Sequence, residues 1–299
     1  PIDSRTGKSF GWTDVADLNY NNLDMREELR QAMIYWVKET DIDGYRIDQA
    51  YAIPPAFYDK TFKALREIKP LFLLAETDIY HPGGIDLVRK FDASYDWSGF
   101  QISKQVAQGR SSVLDYHRHI QRTNRLYEPE NILINFISNH DENSWNGTIK
   151  ENFGAANHAF MAMNFTLPGM PLIYSGQEYD LNKRLHFFEK DSFPKLHGKT
   201  MQLLQQLGAL KNNHNALATG KNSGSFKRIN TTLDNQILAF ERGKEGDTLL
   251  VVANLSKNYA QFTMPYQGDF KRYQDFKTKR LLPSYQYDMK PWEFWILIK

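Results

Sequence analysis

No cysteine occurs among the 299 residues, which excludes disulfides and thiolate metal sites. An excess of one charge is missing too. The 37 basic residues meet 35 acidic ones for a formal net charge of +2, and no Lys/Arg run stands out, so nucleic-acid binding has little support. No apolar stretch is long enough to span a bilayer. No amino-terminal signal sequence is read either, which for an internal piece of a longer chain leaves the compartment open. The eight histidines show neither His-Glu-x-x-His nor a comparable ligand spacing, so no metal site is expected from them. His117 and His119 fall in a helical stretch and read as part of a solvated helix face.

What the chain does have is length for a sizeable core, in one large or two smaller domains, and many aromatic residues, 14% of the total. Most of these read as core and sheet residues. Flat rings also suit the C–H faces of sugars, and Trp97 is a candidate for that because it follows a predicted strand end. Helix and strand signals alternate. Asp24 and Glu27 resemble a capping pair, followed by Leu29, Met33, Trp36 and Val37 at helical spacing. A strand is expected over Asp43 to Asp48, and a helix opened by Pro54 and Pro55 presents Phe57, Tyr58, Phe62, Leu65 and Ile68. Further strands are expected over Leu71 to Ala75, Phe91 to Tyr95, Asn131 to Ser138 and Pro171 to Tyr174. Helices are expected near Ser103 to Tyr127, Phe153 to Phe165 and Thr200 to Asn212. The alternation predicts an α/β fold with a parallel sheet or barrel.

From about Ser223 the pattern becomes short β-rich runs: Ile237 to Phe240, Thr248 to Asn254, Gln261 to Met264 and Glu293 to Ile298. Gly243, Gly246 and Asp247 are expected as hairpin turns. The expected organisation is a partial (β/α) barrel over residues 1–222 and an antiparallel β-sandwich over 223–299, which braces the barrel; a ligand-binding role for the sandwich is the alternative.

Three segments end in a carboxylate after an apolar run: Gly44-Tyr45-Arg46-Ile47-Asp48, Leu73-Leu74-Ala75-Glu76, and Phe136 through Asn139-His140-Asp141. Carboxylates at the carboxyl ends of parallel barrel strands converge on one mouth, and two facing one bond are the minimal equipment for glycoside hydrolysis. Asp78, Asp96, Glu142, Gln177 and Glu178 also lie near predicted strand ends, where lining subsites and plain loop solvation are both open readings. Asn146-Gly147-Thr148 matches a glycosylation triplet, a pattern that also arises by chance.

At these motifs the chain resembles the α-amylase family of glycoside hydrolases. Gly44 to Asp48 is similar to the family's strand-4 motif, Glu76 to its strand-5 glutamate, and Phe136 to Asp141 to its strand-7 motif, with spacings of 28 and 65 residues between the carboxylates. Phe91 to Trp97 looks like strand 6 and Pro171 to Glu178 like strand 8. The opening Gly11 to Asn19 resembles the stretch before strand 4, so the resemblance covers strands 4–8 of a TIM (β/α)8 barrel and the carboxyl-terminal β-domain. The family's first motif, Asp-x-x-x-Asn-His, is not found.

The resemblance implies retaining hydrolysis of α-1,4-glucosidic bonds in starch, glycogen or maltooligosaccharides. Asp48 would be the nucleophile, held by a two-pronged ion pair from Arg46. Glu76 would be the acid and then the base, its pKa raised by the neighbouring Asp48 charge. Asp141 would favour the transition state, and Arg46, His140 and Trp97 would bind substrate. A transglycosylase, or an incomplete fragment that only binds glucan or a partner, are the alternatives. No cofactor is expected in this segment. Gln49, Ala50, Tyr51 and Ala52 stand where many relatives have the Lys-His of a calcium site, and calcium is a question for the complete protein. A closed barrel takes eight strands, and about five are read here. The expected partners are therefore the α-glucan and either the missing amino-terminal half of the barrel or a second copy of the chain.

Overall fold

The computed structural model describes residues 8, 9, 11, 12, 14–264, 273–277, 281 and 286–299. Thr13, within the opening stretch Gly11 to Asn19, lies outside them. The chain divides into two compact units, Pro1–Tyr95 and Asp96–Lys299.

The first unit holds α1 (Leu23–Thr40), β1 (Gly44–Ile47), α2 (Pro55–Arg66), β2 (Phe72–Ala75), α3 (Gly84–Val88) and β3 (Ala93–Tyr95). The cap of α1 is Asn22 rather than Asp24. Asn22 sits just ahead of the helix in an extended conformation, and its side-chain oxygen accepts from the N–H groups of Asp24 and Met25 at 2.9 and 3.1 Å. The buried stripe of α1 is centred on Met33, Ile34 and Val37, which leaves Trp36 on its edge and 53% exposed. Pro55 opens α2 with its fixed φ. Phe57, Tyr58, Phe62 and Leu65 are buried by α2, but Ile68 lies past its end and is exposed. Strands β1, β2 and β3 pair in parallel, with Ile47 opposite Ala75 and Ala75 opposite Ser94.

The second unit begins with α4 (Trp97–Ala107), α5 (Val113–Leu126), β4 (Ile132–Asn135), α6 (Ile149–Phe153), α7 (Asn157–Thr166), β5 (Met170–Pro171) and α8 (Lys199–Asn213). The single helix expected over Ser103 to Tyr127 is two helices. Gly109 takes the left-handed conformation (φ 70°) after α4, and Ser112 with Asp115 forms a capping box that restarts the chain as α5. Likewise Gly154 (φ 52°) separates α6 from α7. Strands β4 and β5 pair in parallel.

Then follow β6 (Ser225–Ile229), β7 (Ile237–Lys244), β8 (Asp247–Asn254), β9 (Ala260–Phe262), β10 (Gln274–Asp275), β11 (Tyr287–Met289) and β12 (Phe294–Ile298). They form a sheet of order β10-β12-β8-β7-β6 and a two-stranded sheet of β11 and β9, all antiparallel. The two sheets share one core, in which Ile237, Leu250, Val252 and Leu297 meet Phe262, Tyr287 and Met289. The β7–β8 turn is Glu245-Gly246, both left-handed (φ 53° and 85°), as a two-residue hairpin requires. Gly243 and Asp247 are instead paired strand residues, opposite Thr248 and Lys244. Arg242, fully buried, reaches from β7 to the carbonyls of Thr166 at the end of α7 (2.8 Å), Gly224 (3.2 Å) and Ser225 (2.9 Å).

Candidate active site

In the first unit the parallel register of β1 and β2 decides which groups meet. Ile47 lies opposite Ala75, so the next residue on each strand, Asp48 and Glu76, emerges at the same end. The ladder continues one step further, Glu76 N–H donating to Ile47 O at 2.9 Å. Gly44 permits this approach, because a Cβ there would stand 1.8 Å from the Phe72 carbonyl oxygen. Tyr45 turns inward and donates its hydroxyl to Met33 O at 2.6 Å. Arg46, on the opposite face of the strand, is left for the carboxylates.

Arg46 bridges the two acids rather than gripping Asp48 with both prongs. Its Nη1 donates to Asp48 Oδ1, while Nη2 stands 3.0 Å from Glu76 Oε1, a charge contact outside hydrogen-bond geometry. The reason is that the two carboxyls come from adjacent strands and approach one guanidinium together. The ring of Tyr95 lies 5.9 Å from the Arg46 guanidinium carbon. Burial works against the Arg46 cation, but Glu76, Asp48 and Tyr95 outweigh it and hold its pKa above the ordinary value.

The two acids differ in surroundings. The Asp48 side chain is 64% exposed, whereas that of Glu76 is 8% exposed. Burial pushes Glu76 up to about 7, against the pull of the Gln49 N–H (2.7 Å to Oε2) and the Arg46 charge. Asp48 adds to the rise, as its charge was expected to, but burial is the larger cause. Gln49 turns the chain with φ 46°, which brings its N–H onto Glu76.

In the second unit the Phe136 to Asp141 motif divides its labour. Phe136 is buried, stacked on Phe100 (5.1 Å, 7°) and edge-on to Trp97 (5.1 Å, 86°). Asn139 caps the following turn by accepting from Glu142 N–H at 2.8 Å. His140 and Asp141 sit at the head of that turn, part-exposed, with Nε2 3.5 Å from Oδ2. The backbone is already helical there, which lets sequence neighbours face one another. Burial, and then Asp141, hold Tyr174 above the ordinary tyrosine pKa. Trp97 is half-buried at the first turn of α4.

Most of the lesser candidates have local partners. Asp96 caps α4 through Gly99 N–H (2.9 Å) and pairs with His119 Nε2 (2.9 Å). Asp78 accepts from Tyr80 N–H (3.0 Å), and Gln177 from Tyr174 N–H (3.2 Å). Glu142 is buried, accepts from Asn146 (3.1 Å) and lies 3.9 Å from Lys104; burial raises its pKa. Glu178 is half-buried. Within the triplet, Asn146 bonds Glu142, and Thr148 is buried and caps α6.

His117 and His119 are not on a solvated face. Both point inward, His117 onto Arg228 and His119 onto Asp96, because the buried stripe of α5 runs Val113, Tyr116, His117, Ile120 and Thr123. Burial and the Arg228 charge push His117 down to about 4. Among the described residues no three His, Cys, Asp or Glu gather in a way that could hold a metal. The turn Ala50–Ala52 offers one polar side chain, Tyr51, which is bonded to Gln49.

A model of the α-amylase catalytic domain matches residues 9–69, which carry the Gly44 to Asp48 motif. Curated relatives carry the match along the chain. One is α-amylase MalA of Haloarcula japonica, 24% identical over 274 residues, covering 89% of this chain and 39% of that protein. Along most of its length the chain is similar to the α-amylase family. An intracellular maltogenic amylase of Bacillus subtilis is 27% identical over 262 residues, covering 80% of this chain and 43% of its own. Among solved structures, maltogenic α-amylase AmyB of Thermotoga neapolitana superposes with a TM-score of 0.79 at 22% identity, covering 100% of this chain and 69% of that one. The fold is thus the carboxyl-terminal part of the α-amylase barrel with its β-domain. The chain spans less than half the length of these curated relatives.

Three aromatic residues near the family motif carry no sequence-level expectation: Trp145 on the π-helical turn Glu142–Asn146, and Phe187 and Phe188 in the loop before α8. The Phe-Phe doublet in a stretch without helix or strand periodicity was the available signal.

Proposed function

We propose that the protein containing this chain is a retaining α-glucan hydrolase acting on α-1,4-glucosidic bonds of starch, glycogen or maltooligosaccharides. Asp48 attacks the anomeric carbon while Glu76 gives its proton to the departing glycosidic oxygen, leaving a glycosyl ester on Asp48. Glu76, now ionised, takes a proton from water. The water oxygen displaces Asp48 and restores the starting anomeric configuration. Arg46 holds and orients Asp48. Asp141 and His140 hold sugar hydroxyls, bonds that lower the barrier to the extent that they strengthen in the transition state. Trp97 contributes a ring to the substrate surface.

One observation carries the reading. Two carboxyls on one guanidinium differ in burial, and the buried one, Glu76, is pushed up to about 7, so it holds a proton near neutral pH beside an exposed partner. The names of the relatives, α-amylase and maltogenic amylase, support an α-glucan as the substrate class. We assign residues 1–222 to the catalytic part and 223–299 to the β-domain. The remaining barrel strands are assigned to a preceding segment or a second copy.

The test is release of reducing ends from soluble starch by the complete protein and by this chain alone, each beside Asp48→Asn. Activity in the complete protein that vanishes in the variant is expected. Substantial activity in Asp48→Asn overturns the assignment, and products longer than the substrate would mark a transferase instead.

A further inference from the structure

Three large aromatic side chains cluster at the surface of the second unit. Trp145 is 54% exposed, Phe187 39% and Phe188 68%. Their ring centroids lie 5.2 Å (Trp145–Phe187), 6.0 Å (Trp145–Phe188) and 5.0 Å (Phe187–Phe188) apart. Single exposed apolar residues need no explanation, but a contiguous exposed group is a candidate binding surface. Within this unit it adjoins the Asn139-His140-Asp141 motif. The Phe187 ring stacks on that of His140, 6.1 Å away and inclined by 21°.

The cluster is fixed in place from behind. Asn143, buried on the π-helical turn, donates to Lys183 O (3.1 Å) and accepts from Leu185 N–H (2.9 Å). Arg184 forks onto both Glu151 oxygens at 3.0 Å, and Thr148 donates to Asn182 (2.9 Å). Asp191 closes the loop on itself through Lys183 and His186 N–H. These bonds hold the aromatic loop to the turn that carries Trp145, so the rings stay exposed instead of collapsing onto the core. A π-helical turn is itself uncommon and frequent at functional sites. Rigid, exposed rings lose little entropy on binding, which suits them to the weak faces of sugars.

We infer that Trp145, Phe187 and Phe188 form a stacking platform for glucose residues of an α-glucan beyond the one held by His140, giving the enzyme its preference for longer chains. This rests on the proposed α-glucan activity for its ligand. The occupant follows from the ring contacts: Phe187 stacks on His140, and Trp145 and Phe188 both touch Phe187, so a sugar chain held at His140 meets these rings next.

The test is calorimetric titration of maltoheptaose into the complete protein in the inactive Asp48→Asn background, with and without Phe188→Ala or Trp145→Ala. Each loss is expected to weaken binding about 10-fold, with Trp145→Phe restoring most of it. Phe188 is mostly exposed, so its variant keeps the unfolding temperature even if Trp145→Ala does not. Unchanged affinity in folded Phe188→Ala, or no maltoheptaose binding without either substitution, overturns the platform. Hydrolysis by the wild-type protein is scored separately: binding through the platform without hydrolysis would leave the platform standing and remove the proposed activity.

Discussion

Replacing Glu76 by Gln should inactivate the protein and stabilise it, and the stabilisation should depend on pH. Burial raises the Glu76 pKa from 4.5 to about 7. Between those values the folded state keeps a proton that the unfolded chain has released, so stability falls as pH rises through the window. Above about pH 7 the full cost of ionising a buried carboxyl is present, about 3 kcal/mol. Below pH 4.5 both states are protonated and the cost is gone. Gln reproduces the neutral form and can still accept from the Gln49 N–H, while Arg46 keeps Asp48. Thermal unfolding of Glu76→Gln against wild type should therefore show a gain of several degrees at pH 8 that shrinks to near zero at pH 4. A pH-independent difference, or a loss at pH 8, refutes burial as the cause of the shift.

In the proposed reaction the same group sets the alkaline side of the rate profile. Activity should fall as pH rises through about 7, where Glu76 loses the proton it must donate, and a basic limb above 9 in kcat/KM would remove it as the acid. Asp141→Asn should lower kcat by far more than it weakens binding of an unreactive maltooligosaccharide; equal losses would make Asp141 a plain binding residue. Arg242→Met should cost about 3 kcal/mol in urea unfolding, because it leaves three carbonyls at the end of α7 and the start of β6 without their donor, and an unchanged midpoint would contradict that tie.

The motif residues were legible because a parallel strand pair with aligned ends brings whatever follows each strand together. Gly44 to Asp48 and Glu76 needed no more than that register. The Arg46 bridge was misread, since a sequence shows the neighbour two residues away and not the acid on the next strand. The cause of the Glu76 shift depends on burial, which no local pattern reveals. His117 and His119 looked solvated for the same reason: their partners Arg228 and Asp96 lie 111 and 23 residues away. The division of the long helix into α4 and α5 was written in Gly109 and in Ser112 with Asp115, local signals that the hydrophobic periodicity on either side masked.

In the proposed reaction Asp48 forms a covalent bond to the sugar. Incubation of the complete protein with a 5-fluoro-α-glucosyl fluoride, whose glycosyl-enzyme hydrolyses slowly, followed by peptide mapping by mass spectrometry, addresses it directly. One glycosyl adduct is expected, on Asp48, lost in Asp48→Asn. An adduct on Glu76 or Asp141, or turnover that inverts the anomeric centre with no adduct at all, contradicts it.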